Sequence, residues 1–408
     1  MSEEVPPTSL ASYEFSALCV VSLLCFCNLA IFYGFYNYLE GLGIPAEWRG
    51  PLLALEPLTA LALRPWLSTA LNLGNSVRAM RLGVGLAALA LASYPFTASI
   101  PGIALVRVLH GAGYVILASG LITTFTHILP HGKVAQGFGI LSLTSLLPSA
   151  IMPPFVEAVT PFLPDPGYAY AMAAPLILLA FLLLAPLGRK IRVLAATLPP
   201  EHSQRPAWAE VRANLRVPGV LPLLLGNVLF LAGHTVVYFF IKGWGLSLGA
   251  ANPGLFFACV NAATIAVRLL GMRHFDGLNP GRAVALALLL LAVLVPCFSL
   301  AGNAATLNAL GALYGLALGL CMPLFNAAMY RVSPAHLRGL NTNLLLVALD
   351  AGFILGPVIG GWVLAAGFPQ QSLFVLCGAI LLVAGLTILP VGRLTSAVSG
   401  DRPGDRKD

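Results

Sequence analysis

The sequence is short of charge: 15 acidic and 22 basic residues in 408, or 9%. A soluble protein carries about 25% charged residues to cover its surface, so a soluble multidomain enzyme is excluded. The first sixteen residues hold Glu3, Glu4 and Glu14 but no Lys or Arg. They lack the basic n-region of a cleaved secretory signal, and the first apolar segment reads as a retained membrane span. There is no His-Glu-x-x-His motif, no paired metal-ligand spacing and no Gly-Lys-Ser/Thr phosphate loop. A membrane metalloenzyme and an ATP-driven pump therefore have no chemistry to work with in this chain. The seven Cys residues all lie in apolar runs without zinc-ligand spacing and read as small core residues. No cofactor and no metal are expected.

Hydrophobic residues are abundant, at 58%. Twelve helices of roughly 20 residues would use about 240 positions, close to that share. Apolar runs broken by Gly, Pro or charge predict spans near 16–39, 51–70, 80–99, 102–126, 135–158 and 168–188, then 218–241, 252–272, 281–301, 304–330, 340–365 and 371–391. An even number of spans puts both termini on one side. Nineteen of the 22 Lys and Arg residues fall on that side or at span ends facing it, among them Arg205, Arg273, Arg402, Arg406 and Lys407. Arg49 and Lys242 fall opposite, and Arg107 lies inside the fourth span. The positive-inside rule makes the termini cytoplasmic. The basic residues are thereby topology signals, and no nucleic-acid partner is expected. Trp48, Trp66, Trp244 and Trp362 fall near span ends, as interfacial anchors do.

The longest connection runs from Arg189 toward Pro218 with Pro199, Pro200 and Pro206 and six basic residues against two Glu. It divides the chain into a six-helix half over 1–188, a cytoplasmic linker over 189–217, a second six-helix half over 218–391 and a tail over 392–408. An offset of 204 aligns Gly111 with Gly315, Pro130 with Pro334 and Pro153 with Pro357, the mark of a duplicated six-span unit. Parallel repeats of this kind describe an all-α membrane fold with two pseudo-symmetric halves.

In the fourth span, ALVRVLHGAG is similar to an Arg-x-x-Gln-Gly motif, with Arg107 and Gly111 matching and His110 in the Gln place. The eleventh span reads GFILGPVIGG, and its Gly352, Gly356, Pro357, Gly360 and Gly361 reproduce a GxxxGPxxGG pattern. After the eighth span, GMRHFDGLNPGR keeps Gly271, Asp276, Gly281 and Arg282 of a GxxxDRxGRR signature at altered spacing; after the second span only Gly74, Arg78 and Arg81 remain. On these motifs the chain resembles the major facilitator superfamily of secondary transporters over nearly its whole length. The resemblance implies gating at Gly352, Gly356, Pro357, Asp276 and Arg282. The GxxxGPxxGG pattern, usual in the fifth span of antiporters, stands here in the eleventh.

Polar residues inside spans carry the rest, because an ionisable group at membrane depth must be paired or face water. Tyr33, Tyr36, Asn37 and Glu40 form one helical stripe, as do Arg107, His110, Gly111 and Tyr114. Asn227, His234, Tyr238 and Lys242 line the seventh span, and Asn261, Thr264 and Arg268 the eighth. A substrate cavity is expected at Tyr33, Asn37, Arg107, His110, Tyr114, Asn227, His234, Tyr238 and Asn261. Beside it stands a structural reading. Tyr36, Tyr38 and Glu40 suit helix-end anchoring, Arg268 suits snorkelling or a gate, and Arg107 and Glu56 suit mutual neutralisation. Glu56 and Asp350 are the buried carboxyls proposed to carry protons. The expectation is a monomeric transporter in the bacterial inner membrane. It moves a small organic solute by alternating access, with proton-coupled efflux favoured over proton-coupled uptake. A non-transporting receptor is the remaining class, but the loops are too short for a ligand-sensing domain.

Overall fold

The computed structural model describes residues 10–129, 133–197, 208–275, 278–334 and 337–397. Asp276, Arg205, Arg402, Arg406, Lys407 and the side chain of Arg273 lie outside the description. The described residues are helical, with no strand among them. The chain forms two compact units, Met1–Arg205 and Pro206–Asp408.

The first unit holds α1 (Tyr13–Gly41), α2 (Ala46–Ala70), α3 (Leu73–Ser93), α4 (Ile100–Ile128), α5 (Val134–Val159) and α6 (Gly167–Thr197). Helix starts follow the side chains that can replace missing backbone acceptors. Ser12 caps α1 through Phe15, Asn72 and Asn75 form a reciprocal capping box on α3, and Ser99 caps α4 through Gly102. A 3-10 turn over Ile31–Gly34 interrupts α1, and Gly43 turns the chain into α2 with φ 73, a conformation that Gly adopts without steric cost. Helices α3 and α4 pack closely because Gly83 and Gly113 lack side chains. A Cβ on either would lie 2.6 Å from backbone nitrogen of the other helix. In a bilayer, where lipid competes for apolar surface, such small-residue contacts replace a hydrophobic driving force. Lys190 on α6 pairs with Glu14 on α1 at 2.9 Å. The start of α1 and the end of α6 therefore share one end of this unit.

The second unit holds α7 (Val220–Ser247), α8 (Leu255–Phe275), α9 (Pro280–Leu294), α10 (Ala304–Val332), α11 (Arg338–Ala365) and α12 (Gln371–Ile388). Asn279 and Asn303 cap α9 and α10. Ten helices among the described residues are long and apolar enough to cross a membrane, and Leu255–Leu270 is a shorter apolar stretch. Helix α2 has the length, 25 residues, but also carries Glu47, Arg49, Glu56 and Arg64. With these two, twelve helices stand in two groups of six.

Two details depart from the sequence reading. Helix α6 continues through Arg189, Lys190 and Arg192 to Thr197, and a short helix, Trp208–Leu215, follows in the connecting stretch. That helix is tied to α11: buried Asn214 donates to Asn341 at 2.6 Å, and Asn341 donates to Ser333 at 2.6 Å. Trp244 is also no exposed anchor. It is buried and donates its indole N–H to the Phe298 carbonyl at 2.8 Å, whereas Trp48, Trp66 and Trp362 are exposed.

Candidate functional site

The ionisable core of the first unit begins with a backbone defect. Pro57 has no N–H, so the Leu53 carbonyl of α2 has no helical donor four residues on. Arg107 of α4 supplies one. Its Nη2 donates to the Leu53 carbonyl at 2.8 Å, its Nε to the Leu52 carbonyl at 3.3 Å, and Nη2 also meets Glu56 Oε2 at 3.4 Å. The guanidinium lies 5.3 Å from the centre of the Phe32 ring and 5.0 Å from that of Phe35. Gly111 lets α4 come this close, since a Cβ there would lie 2.5 Å from the Glu56 carbonyl. Arg107 is 1% exposed. A cation at this depth is stable only because carboxylate, carbonyls and ring faces replace its water. The aromatic wall is continuous: Phe32 stacks on Tyr170 at 4.6 Å, and Phe35 meets Tyr94 edge-on at 5.6 Å.

One turn from Arg107, fully buried His110 bonds through Nε2 to Asn28 Oδ1 of α1 at 2.9 Å. His110 Nδ1 and Asn28 Nδ2 have no hydrogen-bond partner. Tyr33 donates to Glu157 of α5. Buried Asn37 Oδ1 lacks a hydrogen-bond partner, and Tyr114 is half-buried one turn beyond His110. Toward the end of α1, Glu40 pairs with Arg49 at 2.7 Å and Tyr36 lies under the same guanidinium. The structure thus joins Arg107 with Glu56, and His110 with Asn28. It places Tyr36 and Glu40 in a separate, partly exposed helix-end cluster.

In the second unit, His234 Nδ1 bonds to the Tyr314 hydroxyl at 2.8 Å, with the rings nearly parallel. Tyr238 meets Phe257 of α8 edge-on at 5.4 Å. Asn227 reaches the Leu345 carbonyl of α11 at 3.4 Å, and Asn261 donates to the Phe257 carbonyl of its own helix at 2.9 Å. Asp350 is buried in α11, 2% exposed. The α11 glycines face α7: a Cβ on Gly352 would strike Leu231, and one on Gly356 would strike the Thr235 hydroxyl and the Ala232 carbonyl. Pro357 follows at once in the same helix. Arg282 lies in the first turn of α9, its N–H donating to Asn279 and its Cγ packed on Gly392.

Sequence reasoning missed Asn28, Tyr94, Thr235 and Tyr314. Asn28 had a signal, as a lone amide inside an apolar run. The partnership of Arg107 with Leu53 had one too, in the proline four residues further along α2.

Over 390 residues, 91% of this chain and 94% of the relative, the sequence is 24% identical to the staphylopine export protein of Staphylococcus aureus (strain Mu50 / ATCC 700699). Over 139 residues, 34% of the chain and 35% of the relative, it is 27% identical to the quinolone resistance protein NorA of Staphylococcus aureus (strain MRSA252). Among solved structures it is similar to the nucleoside transporter NupG, with a TM-score of 0.71 at 13% identity over 93% of this chain and 98% of that one. It is also similar to a POT family transporter in complex with a thioalcohol-conjugated peptide, with a TM-score of 0.65 at 13% identity over 94% and 96%. At such identities the structures establish the fold alone. The Major Facilitator Superfamily model matches residues 18–342 and 254–407, and the chain, a multi-pass membrane protein, belongs to that superfamily of transporters.

Proposed function

We propose that the protein is a proton-coupled secondary transporter that exports a small organic solute by alternating access, and that it is not an enzyme. The observation that carries this reading is the Arg107–Glu56 pair. Arg107 is held by two carbonyls and two rings as well as by Glu56, so it stays charged whether or not Glu56 is ionised. The contact to Glu56 is 3.4 Å, longer than a tight charge-assisted bond of about 2.8 Å. Glu56 is the member that can take a proton and let go. Asp350 is the buried carboxyl that stands as the alternative proton carrier, in the second unit. Export is favoured by the relative whose name is an export protein and that matches nearly end to end.

The protein works as a monomer in the bacterial inner membrane with both termini cytoplasmic. Its halves are joined by the basic connection over 189–217. The candidate solute contacts are Tyr33, Asn37, His110 and Tyr114 in the first unit and Asn227, His234, Tyr238 and Asn261 in the second. The access change uses the Gly352–Gly356–Pro357 stretch where it packs on α7, with Arg282 at the start of α9. In proteoliposomes, Glu56→Gln should abolish solute flux driven by a pH gradient while preserving solute counterflow. Unchanged pH-driven flux removes Glu56 from the mechanism, and loss of counterflow as well makes it a structural residue.

A further inference from the structure

Arg107 already bonds two carbonyls and Glu56 and lies against two rings. The second unit holds a cation in the opposite condition. Arg268 lies in α8, thirteen residues after Leu255 and seven before Phe275, which is about 20 Å and about 10 Å along the axis at 1.5 Å per residue. Its Nε is buried without a hydrogen-bond partner, and among the described residues no carboxylate, carbonyl or ring contacts it. The helix continues about two turns past this residue, while its apolar stretch ends at Leu270.

Its direction is set by the helix wheel. The exposed residues Leu255, Ala262 and Leu269 form the outward stripe of α8. Arg268 instead continues the line of Phe257, Asn261 and Thr264, roughly 120° around the helix from that stripe at 100° per residue. Along this line Phe257 touches Tyr238 of α7, and Thr264 donates to the Gly315 carbonyl of α10 at 2.9 Å. The cation thus sits on the inward face of its helix, part-exposed rather than sealed. A buried guanidinium N–H left without an acceptor is costly, and an anion that enters relieves the cost. Its planar fork matches a carboxylate through two parallel bonds.

We infer that Arg268 is the anion-binding residue of the second unit and that the transported solute carries a carboxylate, which pairs with Arg268. This rests on the transporter reading for the word "transported"; the binding site itself does not. The chemistry that recognises a solute carboxylate would also take an acidic lipid headgroup, so the test separates the two.

The full chain is reconstituted in phosphatidylcholine nanodiscs without any gradient, and its thermal unfolding is followed at fixed ionic strength with glutarate, with its neutral analogue glutaramide, or with sodium chloride alone. Glutarate at tenfold above its dissociation constant should raise the midpoint by about 3 °C, glutaramide should not, Arg268→Gln should lose the shift and Arg268→Lys should keep part of it. On the unsubstituted chain, phenylglyoxal should modify Arg268, read by peptide mass, and glutarate should slow that reaction several-fold. The inference is overturned if glutarate stabilises the protein and Arg268→Gln equally, if it stabilises neither, or if it gives Arg268 no protection. It is also overturned if phosphatidylglycerol replaces glutarate as the stabiliser, which assigns the residue to a lipid headgroup. Because no flux is measured, a failed Glu56→Gln experiment leaves this result standing, and absence of glutarate binding leaves pH-driven transport untouched.

Discussion

The link between Pro57 and Arg107 can be measured as a coupling energy. Replacing Arg107 by Met has two consequences. It strands the Leu53 carbonyl, which costs about 1–3 kcal/mol for a buried group left unbonded. It also leaves Glu56 without its cation. Breaking a fully buried pair costs about 3–5 kcal/mol, and less is expected here because Glu56 keeps 13% exposure and can take a proton. Only the first consequence depends on Pro57. In a Pro57→Ala background the new N–H at position 57 returns a helical donor to Leu53, and Arg107→Met should then cost about 1–3 kcal/mol less. For a body of about 200 residues each kcal/mol moves the midpoint by about 2–4 °C, so the double variant should melt about 5 °C above the sum of the single effects. The assay is thermal unfolding of the four proteins of the cycle in identical nanodiscs. Additive midpoints would mean that Arg107 does not serve the proline-freed carbonyl, and the account of why Arg107 sits there would be wrong.

Two further substitutions test the second unit. Gly356→Ala puts a methyl on the Thr235 hydroxyl and 2.5 Å from the Ala232 carbonyl, so it should cost about 1–3 kcal/mol as an overpacked contact and slow counterflow; a wild-type midpoint and rate would show that α7 and α11 have slack. Trp244→Phe keeps the ring packing against Phe374 but removes the bond to the Phe298 carbonyl, with an expected loss of about 1–3 kcal/mol in thermal unfolding; no loss would mean that this carbonyl finds another donor.

What was legible in the sequence was what depends on averages along the chain. Charge scarcity and apolar run length predict helices that cross a membrane, and the offset of 204 predicts two units. Boundaries were less legible because a helix does not stop where hydropathy does. Arg189, Lys190 and Arg192 remain helical because nothing in that stretch breaks the hydrogen-bond ladder before Thr197, and long basic side chains extend from a helix as readily as from a coil. At the candidate site, the one-turn spacing of Arg107 and His110 was readable, but their partners on other helices were not. Asn28 could be recognised as a buried amide without knowing that it faces His110. Tyr314 falls at the position equivalent to His110 under the offset, yet its bond to His234 depends on how α7 and α10 cross, which no local pattern encodes.

The duplication suggests which parts of each unit are scaffold and which are chemistry. Under the offset of 204, Gly111 and Gly315 are equivalent, and so are the residues they pack on. A Cβ on Gly111 would strike the Glu56 carbonyl, and one on Gly315 the Val260 carbonyl. In each unit the residue at the next equivalent position, His110 or Tyr314, bonds to a side chain of the unit's first helix, Asn28 or His234. The close approach and the buried polar link are kept, while the charge is not: Glu56 corresponds to Val260 and Arg107 to Gly311. If the glycines serve packing alone, Gly111→Ala and Gly315→Ala should be about equally damaging, each by about 1–3 kcal/mol of overpacking, although only the first adjoins an ion pair. Thermal midpoints of the two variants decide this. A loss at Gly111 with tolerance at Gly315 would show that the close approach exists to seat Arg107 against α2, and that the second unit retains its glycine without needing it.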